Sequence, residues 1–324
     1  MPTSFQDQRF TQQSATVFHA ISAADKTAMA SLRAIVEPHK GGLRGVEARV
    51  PFDAIMEHVA APESVTFEAG VVDGVSGWWS KPEGAQPDAV ILHLHGGWFS
   101  WGSAKAYRNL VGHLASNAGA YAFAPDYRLA PEHPFPAASE DAHACYADLI
   151  ELGYKKIAVT GDSAGGNLAF ELLLSLKRSE RNNQVVPVAA VALSPVTDLS
   201  LSGTSWITRA AVDPYFVQLQ VAELVRSYLN GADPNDPTAS PLRADLTGLP
   251  PIRVHVGDDE VLLDDSVRFV DQALAAGVDA QVDVWEGMVH GFSGSVGQLS
   301  ASTESLELIG SFLSERFTGI TPER

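Results

Sequence analysis

The stretch VTGDSAGGNLAFELL, residues 159–173, joins an apolar, strand-like run directly to a helical pattern. At the joint, Ser163 stands between Gly161 and Gly165 in the pattern G-x-S-x-G. Small residues on both sides permit a turn too sharp for larger side chains, and such a turn can hold a serine in strained backbone geometry. At a strand-to-helix turn this pattern is typical of a serine nucleophile. The stretch therefore predicts that Ser163 is catalytic, provided that other loops supply a base, an acid and donors for an oxyanion.

Apolar runs and helical patterns alternate from about residue 65 onward. The strand-like runs lie at residues 89–97, 120–128, 156–162, 188–196, 252–258 and 280–287. Apolar strands separated by amphipathic helices predict an α/β fold, a mostly parallel central sheet with helices on both faces. Residues 64–84 predict an antiparallel hairpin ahead of the parallel part. In such sheets ligands bind beyond the carboxyl ends of the strands, so we expect the site at that edge.

Two regions interrupt the alternation. Residues 1–50 are mostly helical in pattern, and residues 200–237 are helical with prolines at the end. We expect both to cover the strand ends as a helical cap. The predicted organisation is an N-terminal cap segment, residues 1–50, and a catalytic domain, residues 51–324, with a cap insertion around 200–237.

Composition restricts the partners and the location. The 324 residues include 22 Lys and Arg against 39 Asp and Glu, a formal net charge of −17. This acidity argues against a nucleic-acid partner or an anionic membrane surface. The N-terminus lacks the apolar run of a secretory signal, and no stretch reaches the roughly 20 apolar residues of a membrane span. The single cysteine, Cys145, is expected in the core, and we expect a cytoplasmic protein.

The stretch HLHGGWFSWGS, residues 93–103, leaves a buried strand through a glycine turn. Acyl transfer places negative charge on a carbonyl oxygen, and each preorganised N–H donor can stabilise it by about 2.7–4 kcal/mol. Gly96 and Gly97 have no side chain to block a substrate. We therefore predict that their amides form an oxyanion hole with the amide of Ala164, the residue after the nucleophile.

The base must be a histidine, because imidazole alone has an unperturbed pKa near neutrality. His290 follows the last predicted strand in WEGMVHGF, in a flexible turn from which it can reach Ser163. His93 and His95 share one strand face, but no further ligand cluster stands near them, so we expect no metal. His255 lies within a predicted strand and is expected in the core.

The acid precedes His290 in VHVGDDEVLLDDS, residues 254–266, again at the end of a strand. A carboxylate there would fix the imidazole tautomer and stabilise the imidazolium. Asp258, Asp259 and Glu260 could each supply it, and the chemistry alone leaves the choice open.

Four motifs in this order resemble those of the hormone-sensitive-lipase family of bacterial esterases: HGGW, DYRLAPEHPFPAA at 126–138, GDSAGGN at 161–167 and HGF at 290–292. The resemblance runs from about residue 65 to the C-terminus. It implies an α/β-hydrolase fold with a nucleophile at Ser163 and a base at His290. It also implies short or medium acyl esters as substrates.

The chain departs from the family pattern at two positions. The family usually has Asp where the alignment places Glu260; the resemblance thus implies Glu260 as the acid, with Asp259 as the alternative if the loop shifts by one residue. Trp98 stands where the family usually has a third glycine. Its N–H can still donate to an oxyanion, and its indole would narrow the pocket or pack outward on the cap.

The family also implies supporting roles within DYRLAPEHPFPAA. Asp126 and Arg128 would form an ion pair that holds the HGGW loop, and Glu132 would brace the Ser163 turn. Aromatic residues of the loop and the cap are the candidates for substrate contact: Trp98, Phe99, Trp101, Trp206, Tyr215 and Phe216.

The predicted function is a serine esterase that acts on a small-molecule ester through Ser163, His290 and Glu260, without metal or cofactor. A lactone hydrolase or an amidase would use the same residues. A non-catalytic ligand-binding relative is a further alternative, against which the presence of His290 argues. A homodimer is compatible with the sequence, which leaves the oligomeric state open.

Overall fold

A computed structural model describes residues 16–178 and 185–319 of the chain. Residues 1–15, which the sequence analysis assigned to the N-terminal cap segment, lie outside the described residues.

Nine strands of the described chain form one central sheet. They are β1 (Thr16–His19), β2 (Val65–Val72), β3 (Val75–Pro82), β4 (Gln86–Leu94), β5 (Ala120–Pro125), β6 (Lys156–Asp162), β7 (Ala189–Leu193), β8 (Ile252–Gly257) and β9 (Ala280–Trp285). Their order across the sheet is β1-β9-β8-β7-β6-β4-β5-β3-β2. Strand β3 runs antiparallel to β2 and to β5, and all other neighbours are parallel. The predicted mostly parallel sheet is confirmed.

One edge of the sheet matches the prediction from the sequence, and the other edge does not. At one edge, β2 and β3 form the predicted hairpin, and its two turn residues, Asp73 and Gly74, both have positive φ, as a tight two-residue turn requires. At the other edge, β1 lies within a segment predicted to be helical and pairs in parallel with β9. Four residues are too few to show a strand pattern, and it is pairing with an existing edge that gives this segment its extended conformation.

Helices cover both faces of the sheet. They are α1 (Ala23–Val36), α2 (Arg49–Met56), α3 (Ala104–Ala118), α4 (Ala137–Glu151), α5 (Ala164–Arg178), α6 (Ser205–Thr208), α7 (Gln218–Leu229), α8 (Leu263–Ala275) and α9 (Ser300–Thr318). In β4, Val90 and Leu92 belong to the core formed with α4, α5 and α8, whereas Ala89 and Ile91 belong to the core formed with α3 and α9. Successive side chains of a strand point to opposite faces, so a sheet buried on both sides has a continuous apolar sequence.

The helices at the carboxyl edge surround the predicted site. Helices α1 and α2 contribute side chains to the same cavity as Ser163. Helix α2 spans residue 50, where the sequence analysis placed the boundary between cap segment and catalytic domain. None of the helices in the described ranges has the length and apolar composition needed to cross a membrane.

Candidate active site

Ser163 lies in a sharp turn, residues 161–165, between β6 and α5. Its φ is +54°, in the left-handed region that residues with a side chain rarely adopt. A Cβ on Gly161 would lie 2.2 Å from the carbonyl oxygen of Gly165, and one on Gly165 would lie 1.8 Å from that of Leu94. Close backbone packing therefore requires both glycines of the motif. The turn places Ser163 in the wall of a cavity at the carboxyl edge of the sheet.

His290 and Glu260 meet beyond the ends of β8 and β9. Nδ1 of His290 lies 2.8 Å from Oε2 of Glu260, whose side chain is fully buried. The other oxygen, Oε1, accepts hydrogen bonds from the Ser194 hydroxyl and from the Gly257 N–H, both at 2.7 Å. Both carboxylate oxygens are thus partnered, as a buried carboxylate requires. Of the three candidate acids, it is Glu260 whose carboxylate faces His290.

The two neighbouring aspartates of the acid loop, residues 258–262, bind arginines instead. Asp259 pairs with Arg33 of α1 and Asp258 pairs with Arg209, each at 2.6 Å. Burial raises the pKa of Asp259, although Arg33 acts in the opposite direction. The main-chain N–H of Asp259 donates to the carbonyl oxygen of Met288 at 2.9 Å. Asp259 therefore ties the acid loop to the loop that carries His290 without contacting the imidazole hydrogen bond.

The surroundings of His290 favour its protonated form. Burial disfavours the charged imidazolium, but the hydrogen bond that His290 donates to Glu260 and the negative charges of Glu260, Asp213 and Asp162 outweigh it, so the pKa of His290 is raised above its ordinary value. A positive charge that forms on this ring during a reaction is therefore stabilised where it forms.

Ser163 and His290 line the same cavity of about 700 Å³. Within residues 16–178 and 185–319, no hydrogen bond joins the Ser163 hydroxyl to the imidazole; the imidazole's bond is to Glu260. In enzymes that pair a nucleophile with a base, this contact often tightens only in the substrate complex. The arrangement thus brings the three predicted residues to one site.

The loop after β4, residues 95–102, is called the glycine loop here. Gly97 and Trp98 have φ of +113° and +52° and line the cavity with Ser163. A Cβ on Gly97 would lie 2.3 Å from the carbonyl oxygen of Trp101, so this position requires glycine. In the described part of the chain, the N–H groups of Gly97, Trp98 and Ala164 donate no hydrogen bond. Ala164 is the first residue of α5, where an N–H has no helical acceptor.

The prediction that the Gly96 amide is an oxyanion donor is wrong. Its N–H donates to Oδ1 of Asp162 at 2.8 Å, while Oδ2 accepts from the Tyr107 hydroxyl at 3.0 Å. A Cβ on Gly96 would lie 2.4 Å from Asp162 Oδ2. Because Asp162 directly precedes Ser163, this bond fixes the glycine loop against the serine turn.

The predicted ion pair between Asp126 and Arg128 does not form between these two described residues. Asp126 accepts the N–H of Ala104 at the start of α3, at 2.7 Å, whereas Arg128 pairs with Asp141 and Glu140 of α4 at 2.8 and 2.9 Å. Closeness in the sequence does not predict the partners here. The carboxylate of Asp126 binds α3, which precedes it in the chain, and the guanidinium of Arg128 binds α4, which follows it.

Glu132 contacts α2 and not the Ser163 turn. It pairs with Arg49 of α2 at 2.6 Å, and Arg49 donates in turn to the carbonyl oxygen of Ser100 at 2.9 Å. The predicted bracing role is therefore wrong in its target: Glu132 supports the glycine loop through Arg49.

Four of the six predicted substrate-contact aromatics line the cavity: Trp98, Trp101, Tyr215 and Phe216. The ring of Phe216 packs edge-on against Trp98 and His290, with centroid distances of 5.5 and 4.9 Å. The indole of Trp98 thus forms part of the cavity wall and packs against Phe216.

Phe99 and Trp206 do not line the cavity, so their predicted role in substrate contact is wrong. Phe99 is fully buried and stacks on Tyr228 of α7 with centroids 3.7 Å apart. Trp206 is buried in the core that includes α4 and α5. Both rings belong to the core that includes α4, α5 and α8.

The rest of the cavity wall is mostly apolar and includes several side chains of α1 and α2. Its apolar side chains from α1 and α2 are Leu32, Ile35, Val36, Phe52, Ile55 and Met56. Such a wall suits an apolar chain next to a few polar groups that fix orientation.

The other residues singled out in the sequence have structural contacts. His93 meets Thr160 Oγ1 at 2.9 Å, and His95 meets the Gly96 carbonyl oxygen at 2.8 Å. Burial lowers the pKa of both His95 and His255 to about 4. The described residues contain no group of three or more potential metal ligands.

Cys145 is buried in the core, as expected. Burial raises the pKa of its thiol to about 12, so the side chain stays protonated near neutral pH.

The contact of Ser194 with Glu260 was not predicted from the sequence. Ser194 follows β7, has a φ of +46° and donates to Glu260. Its position at the carboxyl end of a predicted strand was the only signal available in the sequence.

Comparison with known proteins agrees with this geometry. A family model described as the alpha/beta hydrolase fold matches residues 91–294. An acetyl-hydrolase of Streptomyces hygroscopicus is 38% identical over 237 residues, 72% of this chain and 78% of the relative. An esterase of Acinetobacter venetianus is 37% identical over 222 residues, 68% of this chain and 72% of the relative.

A solved structure has the same architecture. The crystal structure of an esterase from the bacterial hormone-sensitive lipase family is similar with a TM-score of 0.84 at 36% identity, covering 92% of this chain and 99% of that one. The chain therefore belongs to the α/β-hydrolase family. Within that family it is a carboxylic ester hydrolase of the bacterial hormone-sensitive-lipase type.

Proposed function

We propose that this enzyme hydrolyses small carboxylic esters through an acyl-enzyme on Ser163, with His290 as the base and Glu260 as the acid that orients it. One observation carries the proposal. The strained Ser163 and the Glu260-bound His290 line a single apolar cavity at the carboxyl edge of the sheet. A nucleophile, a base and an orienting acid in one cavity are the minimum set for acyl transfer through a serine.

In the first half-reaction, Nε2 of His290 takes the proton of the Ser163 hydroxyl as Oγ attacks the ester carbonyl carbon. The N–H groups of Gly97, Trp98 and Ala164 stabilise the oxyanion that results. Glu260 keeps Nδ1 protonated and stabilises the imidazolium. The intermediate collapses as His290 gives its proton to the leaving alkoxide oxygen, and the acyl group stays on Ser163.

In the second half-reaction, water attacks the acyl-enzyme carbonyl and gives a proton to His290. The same three amides hold the second oxyanion. Its collapse releases the carboxylic acid as Ser163 regains its proton from His290. Atoms balance as one ester and one water to one acid and one alcohol, and the proposal needs neither metal nor cofactor.

The substrate class follows from the wall of the cavity and from the relatives. A volume of about 700 Å³ with mostly apolar walls supports esters with short or medium acyl groups. The relatives named acetyl-hydrolase and esterase support the same class. We further propose that residues 23–59 and 205–229 act together as the cap that selects among such esters.

Replacing Ser163 by alanine tests the proposal. Ser163→Ala keeps the Cβ and should fold normally, but kcat on an activated short-chain aryl ester should fall by about 10³-fold or more, because no oxygen is left to attack. The matched control is Ser295→Ala, which alters another serine of the same cavity and should retain most of the activity. Full activity in Ser163→Ala would refute the assignment. A substrate panel with lactones and amides would separate the alternatives, since faster turnover of either than of esters would change the substrate class.

A further inference from the structure

Three Asp-Pro turns occur within residues 200–237, at Asp213, Asp233 and Asp236. In each, the Oδ1 atom accepts the N–H of the residue two positions later at 2.8 Å. Aspartates commonly form such turns at the surface. Asp233 and Asp236 are indeed exposed, whereas Asp213 is only 1% exposed. Burying a carboxylate is costly, so the turn alone does not explain Asp213.

The second carboxylate oxygen of Asp213 reaches the acid loop. Its Oδ2 accepts the N–H of Val261, the residue after Glu260, at 2.9 Å. Its Oδ1 also accepts the N–H of Phe216 at 2.9 Å. One buried carboxylate therefore connects the main chain of the cavity wall with the main chain of the acid loop.

At each end of this connection a side chain contacts the same imidazole: Phe216 itself at one end, and Glu260, the residue before Val261, at the other. Phe216 packs edge-on against His290 at 4.9 Å, and Glu260 Oε2 lies 2.8 Å from its Nδ1. We propose that Asp213 is a positioning residue for the reaction: it holds the cavity wall and the acid loop together around His290. The negative charge of Asp213 also favours the protonated form of His290. This inference rests on the proposed role of His290 as the base.

Other charged groups around this junction have partners of their own. Arg33 binds Asp259, Arg209 binds Asp258, and Lys40 donates to the main-chain carbonyl oxygen of Asp213.

In the described chain no cation forms an ion pair with the Asp213 carboxylate. From the acid loop and the Ser163 turn, Glu260 and Asp162 also act on His290. Removing the charge of Asp213 therefore leaves no cation unpaired. Any change in the pKa of His290 would then come from the loss of the Asp213 charge itself.

Asp213→Asn tests the proposal, with Asp236→Asn as the matched control. Asparagine can keep the turn, but it has one acceptor oxygen instead of two and no charge. Without the negative charge the pKa of His290 should fall, so the acid limb of the kcat/KM profile should move to lower pH. With the acid loop less well held, kcat per active site should fall by about tenfold while KM for a short ester changes by less than about threefold. Asp236→Asn should match the wild type in both.

Active sites are counted with a covalent serine-directed inhibitor, so that loss of folded protein is not mistaken for slow turnover. An unchanged acid limb and an unchanged kcat per active site in Asp213→Asn would overturn the proposal. If Asp213→Asn yields no folded protein, Asp213→Ser, whose hydroxyl can form a similar turn, is measured in the same way. Failure of both variants to fold would assign Asp213 to structure alone and equally overturn it. Failure of the proposed function would appear separately, as activity in Ser163→Ala.

Discussion

At the scale of single residues, both carboxylate oxygens of Glu260 are held by hydrogen bonds. Its Oε2 faces His290, and its Oε1 is fixed by Ser194 and Gly257. A Cβ on residue 257 would lie 3.1 Å from Glu260 Oε1 and 2.3 Å from the carbonyl oxygen of Met288. The extra methylene of glutamate is therefore accommodated where glycine lets the two loops approach, and the strained Ser194 supplies the second donor.

Replacing each of the two acids by its amide, in separate variants, identifies the catalytic acid by experiment. Glu260→Gln removes the charge that stabilises the imidazolium and should lower kcat by about 10²-fold or more. Asp259→Asn breaks a partly exposed pair with Arg33, and we expect kcat to stay within about threefold of the wild type. Steady-state kinetics on one ester with both variants decides the matter, and the reverse order of effects would make Asp259 the acid.

Individual residues were predictable from the sequence to different degrees. Ser163 stands in a motif in which close packing of the main chain requires glycine on both sides. His290 follows a strand and lies in a turn next to a glycine. Glu260 could be chosen only through the family resemblance, because three acids in a row are equivalent by chemistry. Gly96 was misassigned, since nothing local shows that its N–H is taken by Asp162.

At the scale of elements, the junction of β4, β6 and α5 determines how the nucleophile is presented. Helix α5 begins directly after Ser163, and Gly165 in its first turn lies against the main chain at the end of β4. The close approach lets the serine turn and the glycine loop share one corner of the cavity. The bond from the Gly96 N–H to Asp162 holds this corner from the other side.

An alanine scan of two glycines tests this packing. Gly165→Ala would place a Cβ 1.8 Å from the Leu94 carbonyl oxygen, so backbone must move and the free energy of unfolding should fall by at least about 2 kcal/mol. In Gly294→Ala the nearest atom would be 3.4 Å away, and stability should stay close to that of the wild type. Thermal or urea unfolding of both proteins measures the difference. Equal stability would show that the corner is less tightly packed than described.

At the scale of the whole molecule, the strand order explains why the site needs loops of different reach. The order β9-β8-β7-β6 places the strand before His290 three positions from the strand before Ser163, about 14 Å at the usual spacing. The acid loop after β8 meets the His290 loop through the bond from the Asp259 N–H to the Met288 carbonyl oxygen, and His290 and Ser163 line the same cavity. A mostly parallel sheet brings all these loops to one edge, and this could be predicted from the sequence.

The predicted cap could be described only in outline from the sequence. The residues of α1, α2 and the 205–229 segment that face the cavity are determined by how these segments pack over the sheet. Local sequence patterns do not encode that packing. Thus Phe99 and Trp206 looked equivalent to Phe216 in the sequence, yet only Phe216 reaches His290. The burial of Asp213 likewise arises from tertiary contacts.

Covalent labelling of the intact protein tests the central claim most directly, namely that Ser163 is activated by His290. A serine-directed phosphonylating or sulfonylating reagent is added over a range of pH, and the labelled protein is analysed by peptide mass spectrometry. We expect one adduct per chain, on the peptide containing Ser163, and a labelling rate that falls as pH drops through the raised pKa of His290, since a protonated imidazole cannot accept the serine proton. An adduct on another residue, or a labelling rate at Ser163 that does not change as His290 protonates, would contradict the account.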